Sequence, residues 1–137
     1  MSPALRDRHC ESYPEGTAPL SVDRRDELLE EIPGWRVVDG HHLRREWSFP
    51  DFLTALAFVN AAGALAEAEK HHPDLFLSWG KVAVEIWTHT VNGLSERDFI
   101  LAAKLEALPR RAARRVRCPR ARRARWPPPA PPTPPAR

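Results

Sequence analysis

At 137 residues the chain is long enough for one domain with a real core. Its net charge of +3 sums two unlike parts: a body with 11 Lys and Arg against 18 Asp and Glu, and a tail from Pro109 with ten Arg, nine of the fifteen Pro and no acidic residue. Its two cysteines, Cys10 and Cys118, lack metal-site spacing and give no disulfide framework, no run approaches the roughly 20 apolar residues of a membrane span, and no signal peptide is readable, so a soluble cytoplasmic protein is the default.

In chain order, residues 1 to about 20 hold three prolines and no periodic pattern and are expected as a flexible arm. Ser21 is placed to cap a helix with Asp23 in its first turn and Val22, Leu28, Leu29 and Ile32 on its apolar side, stopped by Pro33-Gly34. Strand-like runs over 35–38 and 42–49 flank Asp39-Gly40, a dipeptide suited to the positive φ angles of a tight hairpin. Pro50 and Asp51 then open a long helix running to about Lys70, with Phe52, Leu53, Leu56, Val59, Gly63 and Ala66 on the face predicted to meet the sheet. His72 precedes Pro73 and is therefore pushed out of the helical region, so this helix ends near His71. Leu75, Leu77 and Trp79 alternate with Asp74, Phe76 and Ser78, Gly80-Lys81 turns the chain, and Val82, Val84, Ile86 and Thr88 alternate again, which predicts a second hairpin. Ser95 and Asp98 have the spacing of a capping box before a last helix with Ile100, Leu101, Leu105 and Leu108 apolar.

The order α-β-β-α-β-β-α predicts an α+β fold, a two-layer sandwich in which helices cover one face of a four-stranded antiparallel sheet, over residues 21–108. The tail, 109–137, offers too little apolar surface to join the core and is expected to be disordered. Its arginines would attract phosphate without sequence preference, yet a run of Arg, Pro and Ala with the lone aromatic Trp126 lacks a stacking platform, and nucleic-acid binding is the weaker expectation.

Three of the six histidines, His71, His72 and His89, sit where a helix end and a strand end can meet. Imidazole, with an unperturbed pKa of about 6.5, can both give and take a proton near neutrality, so convergent histidines suggest acid/base chemistry. Taken singly, each has a plainer reading: His71 and His72 as punctuation in the last turn of a helix, Asp98 as a cap and Glu67 as a solvated helix residue. A three-histidine zinc site is the other option, disfavoured because consecutive side chains diverge; no metal is expected. His41-His42 reads as strand surface.

The run Glu67-Ala-Glu-Lys-His71-His72-Pro73, followed by Trp79, Thr88-His89 and Gly93-Leu-Ser-Glu-Arg-Asp98, strongly resembles the pterin-4a-carbinolamine dehydratase family. The resemblance reaches back through Phe49-Pro-Asp-Phe52 and Pro33-Gly-Trp35, so it covers about residues 21–108. It implies loss of water from a 4a-hydroxytetrahydropterin to give the quinonoid dihydropterin, in support of a pterin-dependent aromatic amino acid hydroxylase and with no cofactor. By the same resemblance His71, His72 and His89 would be catalytic, Glu67 and Asp98 supporting carboxylates, Trp35 and Pro73 substrate contacts, and Thr88 and Thr90 flanking the substrate through backbone groups. Glu67, one turn before His71, would orient that imidazole, and with the helix dipole this makes His71 the better candidate for proton donor. Trp87 departs from the family pattern by its bulk, and the arginine-rich tail is atypical. Related proteins also act as Rubisco assembly factors or as transcription coactivators, so a non-catalytic binding role is the alternative. An edge strand left open in a monomer predicts a homodimer or homotetramer.

Overall fold

A computed structural model describes residues 4–110. The expected tail lies outside the described residues from position 111 onward, as does Cys118.

Within the described residues the chain forms α1 (Val22–Glu30), β1 (Arg36–Val38), β2 (His42–Ser48), α2 (Phe52–Glu69), β3 (Asp74–Ser78), β4 (Lys81–Ile86) and α3 (Glu96–Glu106), preceded by one 3₁₀ turn at Leu5–Asp7. The four strands make one antiparallel sheet in the order β1-β2-β4-β3, so β1 and β3 are its edges. The predicted α+β architecture is the one observed.

Each boundary follows from local chemistry. Ser21 caps α1 by accepting from the Arg24 N–H at 3.3 Å. Asp39 and Gly40 both take positive φ, 53° and 63°, as a two-residue hairpin of this twist requires. Asp51 is the N-cap of α2 rather than part of its first turn, accepting from the Thr54 N–H at 2.7 Å. Trp35 precedes β1 instead of opening it, and Trp79 sits in the β3-β4 turn at 72% exposure instead of continuing the inward row.

The sheet's covered face carries Leu43, Trp47, Val82, Val84 and Ile86, with Leu75 and Leu77 half-buried, and the helices supply Leu28, Ile32, Phe58, Phe99, Leu101 and Leu105. On the open face Arg44 bonds Glu46 and Glu85 and lies over the Phe76 ring, 5.9 Å from its centroid.

The helix α2 is rotated from the expected face. Its buried stripe is Thr54, Ala55, Phe58, Ala62 and Ala66, while Phe52 and Leu53 are each 41% exposed. Apolar side chains occur nearly all round this helix, so periodicity could not choose the stripe; the small residues let the helix lie close on the sheet, with Phe58 filling the gap against Trp47 at 4.9 Å. Although α2 has the length and mean hydropathy of a short membrane span, that buried stripe packed under the sheet is the placement of a core helix.

Residues 4–20, expected as a loose arm, are laid along the domain. Leu5 is buried in the core against Ile32 and α3. The arm is then pinned where its backbone meets loops: Cys10 N–H donates to Glu69, Gly16 N–H to the Thr90 carbonyl and Leu20 N–H to the Leu94 carbonyl. Prolines hid this because the segment pairs through isolated bonds rather than a periodic pattern.

Candidate active site

Three turns of chain meet at one end of the sandwich. The first is the exit of α2. Lys70 takes a left-handed conformation, φ 52° and ψ 38°, and the N–H groups of Lys70 and His71 both return to the Ala66 carbonyl. This is a Schellman closure with lysine where glycine is usual. The reversal turns His71 inward, to 5% exposure, and leaves His72 outside.

The second turn follows β4. Thr88 N–H donates to the Gly93 carbonyl at 2.9 Å, and Asn92 at φ 51° closes a tight loop over 88–93 that holds His89 and Thr90 in solvent. The third is the start of α3, where Ser95 and Asp98 form the predicted capping box, with Ser95 N–H donating to Asp98 Oδ2 at 2.8 Å.

Asp98 does more than cap. It is fully buried, accepts the Thr88 hydroxyl at 2.9 and 3.0 Å, and meets His71 Nε2 at 2.5 Å. Ser95 Oγ lies 2.6 Å from Thr88 Oγ1, so a chain of hydroxyls leads to the carboxylate. With a backbone N–H and a hydroxyl already donating to Asp98, the consistent arrangement has His71 Nε2–H donating as well, which leaves Nδ1 as the free nitrogen of that ring.

The pairing of Glu67 is a correction. It bonds His72, at 2.8 Å, and not His71, because the left-handed Lys70 breaks the helical i, i+4 geometry before His71 is reached. Of the two grounds for making His71 the proton donor, the Glu67 contact is therefore lost, while the C-terminal end of α2 remains beside His71, whose N–H still bonds the Ala66 carbonyl.

His71, His72 and His89 line one cavity of about 220 Å³ together with Thr88, Thr90, Lys70 and Arg97. Two of the expected contacts lie elsewhere. Trp35 is in the core, its ring edge-on to Trp47 at 5.6 Å, and Pro73 opens the approach to β3 outside the lining. The backbone of Thr88, expected to face a ligand, is engaged within its own loop; its side chain belongs to the Asp98 network. The Thr90 carbonyl is taken by Gly16 of the arm.

Lys70 and Arg97 were not singled out by sequence. Arg97 is 9% exposed and donates through Nη2 to the Lys70 carbonyl at 2.8 Å. The signal for it was an arginine in the first turn of a helix, the end where the dipole disfavours a cation. Beside the cavity, Trp87 packs its ring on His89 at 4.6 Å between centroids and on His41 at 5.6 Å. Behind it, Cys10 donates Sγ–H to the Arg97 carbonyl; burial and then Glu69 push its thiol up to about 11, which removes it as a nucleophile near neutral pH.

Comparison with known proteins adds a family likeness. The sequence model described as pterin 4 alpha carbinolamine dehydratase matches residues 18–108. A protein carrying the name pterin-4-alpha-carbinolamine dehydratase from Rubrobacter xylanophilus is 43% identical over 104 residues, which is 76% of this chain and 97% of that one. One of the same name from Rickettsia bellii is 47% identical over 106 residues, 77% of this chain and 94% of that one. The crystal structure of a transcriptional coactivator/pterin dehydratase from Brucella melitensis superposes with a TM-score of 0.62 at 37% identity, covering 65% of this chain and 96% of that chain.

Proposed function

The chain belongs to the pterin 4 alpha carbinolamine dehydratase family, and from that premise we propose that it removes water from a 4a-hydroxytetrahydropterin by moving protons through His71 and His89. The reaction breaks the C4a–O bond as a proton reaches the departing hydroxyl; the N5–H electron pair then forms the C4a=N5 bond of the quinonoid dihydropterin and its proton leaves. One proton enters and one departs, and oxidation state is unchanged.

The observation that carries the reading is the meeting of three histidines on one cavity with a buried carboxylate behind the first of them. Asp98 fixes the tautomer of His71, so one ring nitrogen is presented in a defined protonation role, while exposed His89 can exchange protons with water between turnovers. His72 and Glu67 form the rim. In a cell the product would be returned to a pterin-dependent aromatic amino acid hydroxylase after reduction.

Enzymatically generated 4a-hydroxytetrahydropterin, followed by ultraviolet absorbance, tests this directly. The folded protein should accelerate dehydration, and His89→Ala should lower the rate by about 10²–10⁴-fold, the usual worth of a positioned acid or base. Folded protein that gives no acceleration would leave the binding or assembly role as the better reading. We extend the proposal to self-association: β3 is an edge strand whose Phe76 is 50% exposed and is followed by exposed Trp79, a combination that favours pairing with a second copy. Sedimentation equilibrium would show a dimer or tetramer.

A further inference from the structure

His89 is exposed, and its backbone and its ring are held by different means. The backbone is fixed by the loop and the arm: Thr88 N–H donates to the Gly93 carbonyl at 2.9 Å, Asn92 N–H to the His89 carbonyl at 3.1 Å, and Gly16 N–H to the Thr90 carbonyl at 3.1 Å. None of these bonds reaches the imidazole. Among the described residues that ring has no hydrogen-bond partner, and the ring it packs on is Trp87, at 4.6 Å between centroids and 52° between planes. An unheld histidine has three staggered wells at χ1 and a broad two-fold torsion at χ2, so it would face the cavity correctly only about one time in six.

Trp87 stands outside the cavity lining, just past the end of β4 at Ile86. It lies two residues before His89, the spacing at which side chains share one side of an extended chain. The indole is itself braced. It meets the ring of His41 at 5.6 Å and that of His42 at 6.1 Å, both from the hairpin between β1 and β2. His41 then closes the circuit: its Nε2 lies 3.4 Å from Asn92 Oδ1, in the same loop as His89, and its Nδ1 lies 3.3 Å from Nδ1 of His42. Hairpin, strand end and loop thus support one another through half-buried side chains, with a flat two-torsion indole at the centre that loses little entropy on being fixed.

We propose that Trp87 is a positioning residue for His89: it holds the imidazole toward the cavity, and His41 and His42 hold Trp87. This rests on the dehydratase reading and adds to it a support that lies outside the cavity. Trp87 acts on the rate through the fraction of molecules in which His89 is aligned, so its loss lowers kcat with little change in KM.

The test compares Trp87→Leu and Trp87→Phe with the wild type in the full chain, by dehydration kinetics and by proton NMR of the histidine rings. The His89 ring protons, so close to an indole, should carry a ring-current displacement that Trp87→Leu abolishes and Trp87→Phe partly keeps. Trp87→Leu should lower kcat by about sixfold, the value set by the free torsions, and Trp87→Phe should recover most of it. In a His89→Ala background Trp87→Leu should cost nothing further, because a residue that acts through His89 has nothing left to position. An equal loss in that background, as a general loosening of the fold would give, overturns the proposal. So does a Trp87→Leu enzyme with wild-type kcat, or with unchanged His89 resonances, while dehydration by the wild type stands. Folded wild-type protein that does not dehydrate overturns the dehydratase reading itself and, with it, the catalytic purpose assigned to Trp87, whatever the resonances show. Should Trp87→Leu not fold, Trp87→Met keeps more of the contact area and carries the same comparisons.

Discussion

His71 and His72 are neighbours in the chain, and each holds a carboxylate through Nε2: His71 meets Asp98 at 2.5 Å and His72 meets Glu67 at 2.8 Å. In a list of ion pairs they look alike. Yet the first pair has side-chain exposures of 6% and 0%, the second of 65% and 81%. Asp98 is further tied to Ser95 and Thr88, so it joins the start of α3, the loop after β4 and the exit of α2. Glu67 joins its own helix only to His72, three residues past that helix's end. Burial and network, rather than distance, separate a pair that organises a site from one that decorates its rim.

The largest consequence falls on Asp98. Asp98→Ala leaves the His71 ring, the Ser95 N–H and the Thr88 hydroxyl without their acceptor inside a dry region, and urea unfolding should report a loss of about 3–5 kcal/mol. His71→Ala should be milder for stability and severe for turnover, lowering kcat by about 10²-fold or more if it moves a proton in the reaction. A His71→Ala protein that keeps full activity would reduce the buried pair to a structural tie and move the chemistry to the exposed residues.

Much of this contrast is legible in the sequence. The Ser95-Asp98 spacing announced a cap, and Pro73 announced the end of α2. The three histidines were placed together by the order of elements alone. What could not be read was which histidine would take which carboxylate, because that depended on one backbone angle at Lys70, and no residue preference predicts a left-handed lysine. The α2 stripe was unreadable for a different reason: a helix apolar on most sides carries no phase. The arm escaped notice because its anchors, Leu5 and single backbone bonds to Glu69, Thr90 and Leu94, have no period to detect.

Two smaller effects sharpen the comparison at the site's edges. Lys70→Gly relieves the left-handed strain and should raise stability by about 1 kcal/mol in urea unfolding, provided the ammonium does nothing for the fold. The arm is held partly by Glu96, whose carboxyl Arg8 holds below its usual range; partial burial opposes this and Arg24 adds to it. A depressed carboxyl contributes stability above its unfolded value of about 4.3, and that stability is lost as pH falls through the lower folded value. The thermal midpoint should therefore drop between pH 6 and pH 3 by more in the wild type than in Glu96→Gln. The pair is partly exposed, and the difference should be modest.

The smallest effect is expected at Glu67, and it is the one that tests whether the rim pair deserves its place beside the buried one. Both Glu67 and His72 are largely in water, where an ion pair is worth about 0–1 kcal/mol and is screened by salt. Glu67→Gln should change stability by no more than that, and the change should disappear in about 1 M salt, where the screening length is only about 3 Å. Turnover is the sharper readout. If Glu67 only shares a surface proton with His72, kcat and its pH profile should match the wild type. A Glu67→Gln enzyme of unchanged stability with a displaced pH profile would show that the exposed carboxylate sets the protonation of a reacting group, and the rim would then belong to the chemistry as fully as the buried Asp98 does.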